Sequence, residues 1–358
     1  MTVQYVGIYL GSNCNYNCVY CDRQTINNSM MTEEDIPGII EWLQQYTICP
    51  NETQIENLTF YGGEPFIWVD MMDKIMEQID ETICNKMSYH ICTNGTFIER
   101  DKWFLKKWQD RLNISLSYDF AYQTDHRELP NNGPYLDINK ALTFLSTLNL
   151  QQLEIYYTMT INKSSIFSMD RVTDIVKLFN QYNRIDKLSI LPVRFDNHTT
   201  PNNYLTNTFP IKEFIQKMIK FSELLYVAGI PVVIDGIDNV HSGALPSIEN
   251  QTLHILSPDG NIYNDYVFLE YNYTEASFGN WRTKELCEFK ETIRLRCKTC
   301  SVSDICNDKY YYKVWFTEND LNNSCCEEFN KMIVVWLNKY LAKLKTKQNL
   351  VEHIYDEV

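Results

Sequence analysis

The chain is short of basic residues. Lys and Arg number 32 against 46 Asp and Glu, a net charge of −14 over 358 residues. Nucleic-acid affinity comes chiefly from cationic side chains that neutralise phosphates, so this balance argues against a polyanion partner. It is compatible with a neutral or basic peptide or with a small molecule, and surface acidity by itself also confers solubility. No apolar run approaches the roughly 20 residues that a membrane-spanning helix takes, so no membrane association is expected. The N-terminus, Met1-Thr2-Val3-Gln4-Tyr5, has no basic segment followed by an apolar one. Secretion is therefore not expected, and the expected location is cytoplasmic. Low-complexity linkers are absent too. Apolar residues make up 44% of the chain, enough for a packed core and too many for a disordered one.

Cysteine is plentiful, with twelve in the chain. Without a secretory signal, that number points to metal or redox chemistry in a reducing compartment. Three of them, Cys14, Cys18 and Cys21, are spaced C-x-x-x-C-x-x-C. Three thiolates can hold three irons of a 4Fe–4S cluster and leave the fourth iron open to a substrate or cofactor. Three thiolates can also form part of a zinc site, but no His or fourth Cys lies nearby and the next cysteine is Cys49. A disulfide is a weaker reading, since three clustered cysteines cannot all pair among themselves. A second group, Cys297, Cys300, Cys306, Cys325 and Cys326, can supply four thiolates, and its spacing fits zinc and iron–sulfur equally. Cys49, Cys84, Cys92 and Cys287 read as buried structural thiols.

Strand-like and helix-like segments alternate through the first two-thirds. Strands are expected over 3–10, 55–61, 87–93, 112–118, 153–160 and 188–193, and helices over 36–46, 71–83, 100–109, 136–148, 169–182 and 211–228. Six such β-α units predict an α/β fold with a parallel sheet, either doubly wound or a partial (β/α)6 TIM-type barrel. In barrels of this type the chemistry sits at the carboxyl ends of the strands. Unusual polar residues fall there: the cysteine triplet, Gly62-Gly63-Glu64-Pro65, Thr93-Asn94-Gly95, then Ser115, Ser117 and Asp119, Asn162, and Arg194. The expected domains are the barrel over 1–230, a cysteine-rich and turn-rich extension over 231–326 with Ser257-Pro258-Asp259-Gly260 as a turn signal, and a helix within 327–358. That helix would place Ile333, Trp336, Leu337 and Leu341 on one face.

Each rim motif has a plain structural reading beside the chemical one. A glycine pair makes an ordinary strand-to-helix turn, and it also lets backbone approach a ligand closely. Glu64 brings a charge suited to an ammonium group. Asn-Gly is a strong turn dipeptide. Arg127 can form a surface salt bridge or a charge-assisted pair with a carboxylate.

Taken together, the cysteine triplet and Gly62-Gly63-Glu64-Pro65 one β-α unit later resemble the radical S-adenosylmethionine (radical SAM) superfamily. The resemblance implies that Cys14, Cys18 and Cys21 hold a 4Fe–4S cluster whose open iron chelates SAM. It implies that Tyr20 lies against the adenine and that Gly62, Gly63, Glu64 and Pro65 hold the methionine amino group. Thr93 and Asn94 would lie beside the ribose, with Asn162 among the SAM-contacting residues. The stretch Ser115-Leu116-Ser117-Tyr118-Asp119, with Asp125-His126-Arg127 beyond it, resembles the S-x-D-G … H-D-x-x-R region of peptide-modifying members. There a serine contacts the ribose and the arginine pairs with the SAM carboxylate. Phe120 stands where glycine is usual, and Asp125-His126 reverses the common order.

The C-terminal cysteines resemble part of the SPASM extension, which normally carries two auxiliary 4Fe–4S clusters. Cys297, Cys300, Cys306 and Cys325 or Cys326 fill the places of the outer cluster. Tyr310 and Asn264 stand where two ligands of the inner cluster would be, so one auxiliary cluster is expected. Asp265 follows the second of those positions, as a catalytic aspartate does in the resembling anaerobic sulfatase-maturing enzymes. A carboxylate there can take a proton from a radical intermediate or simply cap a turn. The implied activity is cleavage of SAM to a 5′-deoxyadenosyl radical that abstracts hydrogen, after one-electron reduction by an external donor. The substrate expected is a ribosomally made peptide or protein. No leader-binding domain is seen before Cys14, so that role is expected of another chain or of none. The alternatives are a small-molecule dehydrogenase or epimerase, for example on a sugar, and a non-catalytic iron–sulfur or zinc electron-transfer protein.

Overall fold

The structure is a computed structural model that describes residues 5–18, 21, 29–49, 52–53, 55–83, 86–128, 135–159, 169–192, 211–234, 253–263 and 277–286. Its centre is a sheet whose strands follow the order of the chain. The strands are β1 (Tyr5–Tyr9), β2 (Asn57–Tyr61), β3 (Ser88–Thr93), β4 (Leu112–Ser117), β5 (Gln152–Met159), β6 (Lys187–Pro192) and β7 (Val232–Ile234), each hydrogen-bonded in parallel to the next. Among the described residues the α-helices longer than a single turn that connect them are α1 (Ile36–Gln44), α2 (Val69–Thr82), α3 (Lys102–Trp108), α4 (Ile138–Leu145), α5 (Met169–Gln181) and α6 (Ile211–Val227), with a single turn of helix over Gln123–His126. Parallel crossovers are right-handed, so a sheet wound in one direction carries all its helices on one face. This is the partial barrel that the six β-α units predict.

The alternation of side chains follows from the period of two along each strand. Val6, Ile8, Leu58, Phe60, Tyr89, Ile91, Ile114, Leu116, Leu153, Ile155, Leu188 and Ile190 face the helices and form one core with them. The helices meet that core with apolar stripes, such as Met72, Ile75, Met76 and Ile79 on α2. In the 3-10 turn Glu33–Asp35 that leads into α1, Thr32 and Asp35 form a capping box, and Pro37 occupies the first turn of α1, where its missing N–H costs nothing.

The rhythm changes after β7. Strand β8 (Leu253–Leu256) pairs in parallel with the free side of β1. It is followed by the short antiparallel strands β9 (Asn261–Tyr263), β10 (Gly279–Asn280) and β11 (Glu285–Leu286). The expected turn at Ser257–Gly260 joins β8 to β9, with Gly260 at φ +93°, a conformation that favours glycine. The parallel sheet thus runs past residue 230. Tyr20, Asn162, Arg194, Asp265 and all the cysteines from Cys287 onward lie outside the described residues, as does the expected C-terminal helix.

Candidate active site

The three cysteines sit on the loop after β1, at the carboxyl rim of the sheet. Cys14 is exposed, and Cys18 and Cys21 are half-buried. Two neighbouring strand ends fix this loop. On the first, Gly63 N donates to Gly11 O at 2.8 Å and Glu64 N donates to Asn13 O at 2.9 Å. The contact is tight enough that a Cβ on Gly62 would meet Gly11 O at 2.6 Å. Both glycines are therefore needed for the approach of the cysteine loop itself. On the second strand end, Asn94 Nδ2 donates to Asn15 Oδ1 at 2.8 Å and lies 3.8 Å from Cys14 Sγ. Asn15 Nδ2 in turn donates to Thr96 Oγ1 at 2.8 Å.

Glu64 joins these two strand ends. Its carboxylate is 1% exposed. Oε1 accepts from Thr93 Oγ1 at 2.7 Å and from Phe66 N at 3.1 Å, and Oε2 accepts from Asn94 N at 2.8 Å. The acidic residue of the Gly-Gly-Glu-Pro turn therefore ties that turn to Thr93-Asn94 with two charge-assisted bonds and caps its own turn with the third, from Phe66 N.

A third support comes from beyond β4. Asn17–Cys18 pairs antiparallel with Arg127–Glu128, so Cys18 lies directly beside Arg127 in a two-stranded ribbon. The Arg127 guanidinium is buried and holds Asp119 through Nε–Oδ2 at 2.9 Å and Nη2–Oδ1 at 3.2 Å. Asp119, fully buried, also accepts from Thr158 N at 3.3 Å. Arg127 is thus a buried ion pair and not a surface one. Burial pushes the Cys18 thiol up to about 12; Arg127 opposes this, and Cys21, Cys14 and Asp119 add to it. The three thiols feel one another and one cation.

Phe120 occupies the position where the resembling motif has glycine, and its backbone keeps a left-handed φ of +55°. Its ring compensates for that conformation: it is buried, 4.9 Å from the Tyr118 ring and 5.2 Å from Tyr157, with the Arg171 guanidinium 5.7 Å away. Ser117 lies at the rim end of β4, half-buried. Ser115 lies one inward-facing position deeper, fully buried, and donates to Glu154. The structure therefore brings Cys14, Cys18, Cys21, Gly62, Gly63, Glu64, Pro65, Thr93, Asn94, Ser117 and Arg127 to one rim, and puts Ser115 in a different set of contacts.

Sequence reading gave no role to His90, Glu154, Lys187 and Ser189, which share the inner face of the sheet with Ser115. A charged residue inside an otherwise apolar strand, Glu154 in Leu153-Glu154-Ile155, was the available signal. Cys92, read as a buried structural thiol, is half-buried on this same face with Sγ 3.7 Å from His90 Nε2.

The donor chemistry fits an iron–sulfur cluster. The donors are three soft thiols on one loop, with no carboxylate or imidazole among them. Among the described residues no three His, Cys, Asp or Glu side chains gather around the position of a single metal ion. A cluster spreads its thiolates over different irons and does not ask for that.

Comparison with known proteins agrees. Residues 8–137 match the Radical SAM superfamily. The radical SAM cyclopropyl synthase TigE of Paramaledivibacter caminithermalis is 25% identical over 131 residues, 33% of this chain and 27% of TigE. This chain therefore aligns with about a quarter of that relative's length. The structure of anSMEcpe with bound AdoMet and Cp18Cys peptide superposes with a TM-score of 0.66 at 16% identity, covering 98% of this chain and 99% of that one. Streptococcus suis SuiB bound to precursor peptide SuiA gives a TM-score of 0.60 at 14% identity, covering 86% of this chain and 72% of SuiB. A match to that superfamily over these residues implies SAM and a 4Fe–4S cluster. No described helix is long and apolar enough to cross a membrane.

Proposed function

We propose that this chain, whose residues 8–137 match the Radical SAM superfamily, is a radical SAM enzyme acting on a ribosomally made peptide or protein. The observation that carries the reading is the three-sided clamp on the cysteine loop, by Gly62-Gly63, by Asn94 and by the Arg127 ribbon. A loop that only turned the chain would not need three separate strand ends to hold it.

Cys14, Cys18 and Cys21 would hold the cluster, and Thr93, Asn94, Ser117 and Arg127, with Tyr20 and Asn162, would face SAM. Bound together, cluster and SAM supply one-electron cleavage and a radical that takes a hydrogen atom from the substrate. The protein's own part is positional. Glu64 fixes the rim turns relative to each other, and the Asp119–Arg127 pair fixes the ribbon that carries Cys18. The peptide assignment draws support from the full-length likeness to anSMEcpe, whose structure holds a peptide, and from SuiB with its precursor peptide. The rest of the proposal concerns the C-terminal part. There Cys297, Cys300, Cys306 and Cys325 or Cys326 would hold one auxiliary cluster, and Asp265 would accept a proton.

The test is anaerobic reconstitution, reduction with dithionite and addition of SAM, alone and with short peptides encoded beside the gene. The reading predicts 5′-deoxyadenosine from the wild type, none from the variant with Cys14, Cys18 and Cys21 all changed to Ala, and a mass change in one peptide. A fully reconstituted protein that leaves SAM intact contradicts it.

A further inference from the structure

The side-chain amide of Asn94, just past the end of β3, is held in a closed ring of hydrogen bonds. Asn94 Nδ2 donates to Asn15 Oδ1 at 2.8 Å, Asn15 Nδ2 donates to Thr96 Oγ1 at 2.8 Å, and Thr96 Oγ1 donates back to Asn94 Oδ1 at 2.6 Å. Each member gives one proton and takes one, and bonds in such a network polarise one another. Gly95, at φ +78°, turns the chain so that Thr96 N also donates to Asn94 Oδ1 at 3.0 Å. A backbone N–H can face only the oxygen of that amide, which fixes the end that carries the –NH2.

The –NH2 has two protons, and the ring uses one. The other lies toward Cys14 Sγ, 3.8 Å from Nδ2. Tyr16 N donates to the same sulfur at 3.4 Å. Two bonds given and two taken use the whole capacity of the Asn94 amide. A contact between Asn94 and SAM is therefore left to its main chain. A role confined to building the loop would be met by the ring alone, which ties Asn15 to the strand end whatever the second N–H faces.

We propose that Asn94 tunes the reduction potential of the cluster held by Cys14, Cys18 and Cys21, through its N–H to the Cys14 sulfur. This rests on the proposed function for the presence of that cluster. Hydrogen bonds to the ligand sulfurs are among the means by which a protein sets such a potential. One electron from the external reductant adds negative charge to the cluster and its thiolates. An N–H dipole aimed at a ligand sulfur stabilises that charge, so the reduced state gains more than the oxidised one and the potential rises. No bond to Asn94 forms or breaks; its proton stays on Nδ2. The ring keeps the dipole from turning away, because rotating the amide would break three other bonds. The consequence is that a milder donor suffices to reduce the cluster.

The test is a redox titration of the reconstituted protein without SAM, followed by electron paramagnetic resonance. The N-terminal cluster is the signal missing from the variant with Cys14, Cys18 and Cys21 all changed to Ala. Asn94→Asp keeps the acceptor for Thr96 N and puts an oxygen where the N–H faced the sulfur. Its N-terminal cluster should be about tenfold harder to reduce, a fall of about 59 mV for one electron. Asn94→Ala removes the dipole without adding charge and should move the potential the same way by less. Thr96→Val opens the ring but leaves Thr96 N on Asn94 Oδ1 and the second N–H on the sulfur. It should lower the denaturation midpoint and keep the wild-type potential. A wild-type potential in Asn94→Asp overturns the inference, as does a Thr96→Val shift as large as that of Asn94→Asp. If neither Asn94 variant holds the N-terminal cluster, Asn94 only builds the loop and the inference falls. A wild type without that signal defeats the cofactor reading and the inference together, whereas an unmoved potential in a cluster that is present defeats the inference alone.

Discussion

Gly63 lies so close to the carbonyl of Asn13 that a Cβ built on it would meet that oxygen at 2.0 Å. Asn13 is the residue before Cys14, so the glycine sets the height of the cysteine loop above the sheet. Gly63→Ala should push the loop away, destabilise the fold by about 1–3 kcal/mol as overpacking does, and lower the iron bound at the N-terminal site. Denaturant midpoints and iron content check this. Unchanged iron in Gly63→Ala would show that the contact does not position the cysteines.

Glu64 gives the second prediction. Glu64→Gln keeps the size of the side chain but turns one of two accepting oxygens into a donor. With Thr93 Oγ1 and Phe66 N on one oxygen and Asn94 N on the other, either orientation leaves a backbone N–H facing an N–H. The cost should be about 1–3 kcal/mol, and SAM affinity, measured by calorimetry on the reconstituted protein, should fall with it. Equal stability and affinity would mean the tie between the two turns is dispensable.

Asp119 and Arg127 form a buried pair, and pairs of this kind are far more costly to break than to replace. Arg127→Met alone should lose about 3–5 kcal/mol, because it leaves a buried carboxylate uncompensated, and Asp119→Leu with Arg127→Met should recover most of that. Urea unfolding of the two variants decides the matter. A double variant as unstable as the sum of its parts would contradict it.

Phe120 pays for a glycine's backbone with its ring. Phe120→Gly removes a left-handed penalty of about 1–2 kcal/mol but also a buried aromatic worth about 3–5 kcal/mol. The net should be a loss of about 2–3 kcal/mol in chemical denaturation. A more stable Phe120→Gly would mean that the contacts with Tyr118, Tyr157 and Arg171 contribute little.

Glu154 predicts a pH dependence. Burial pushes its carboxyl up, but the bonds from Ser115 and Ser189 and the charge of Lys187 outweigh burial and hold it below the ordinary 4.5. A lowered carboxylate contributes stability above its unfolded value and loses it as pH falls through the folded one. The stability gap between wild type and Glu154→Gln should therefore be full at neutral pH and shrink below about 4.5. A gap constant from pH 7 to pH 3 contradicts the assignment.

The alternation of strands and helices was legible because each segment keeps its period, two in the strands and 3.6 in the helices. The ends shifted by a residue or two, as with α1, expected over 36–46 and found over Ile36–Gln44. The rim was legible because Gly, Asn and Cys are conspicuous after strands. The inner face was not, since Ser115 and Glu154 are brought together only by strand register, which a single sequence does not display. Ser115 was grouped with Ser117 among the SAM-contacting candidates because both lie within one rim motif. It lies one inward-facing position deeper than Ser117, where register pairs it with Glu154. Phe120 looked like a departure from its motif, yet the backbone conformation persisted because neighbouring rings hold it.

The central claim is that Cys14, Cys18 and Cys21 hold a cluster with an open iron. Its most direct test is iron and sulfide per chain after anaerobic reconstitution, for wild type and for the variant with all three changed to Ala. The account predicts about eight iron falling to about four, the loss of one four-iron centre. Iron content unchanged by the substitutions would contradict it.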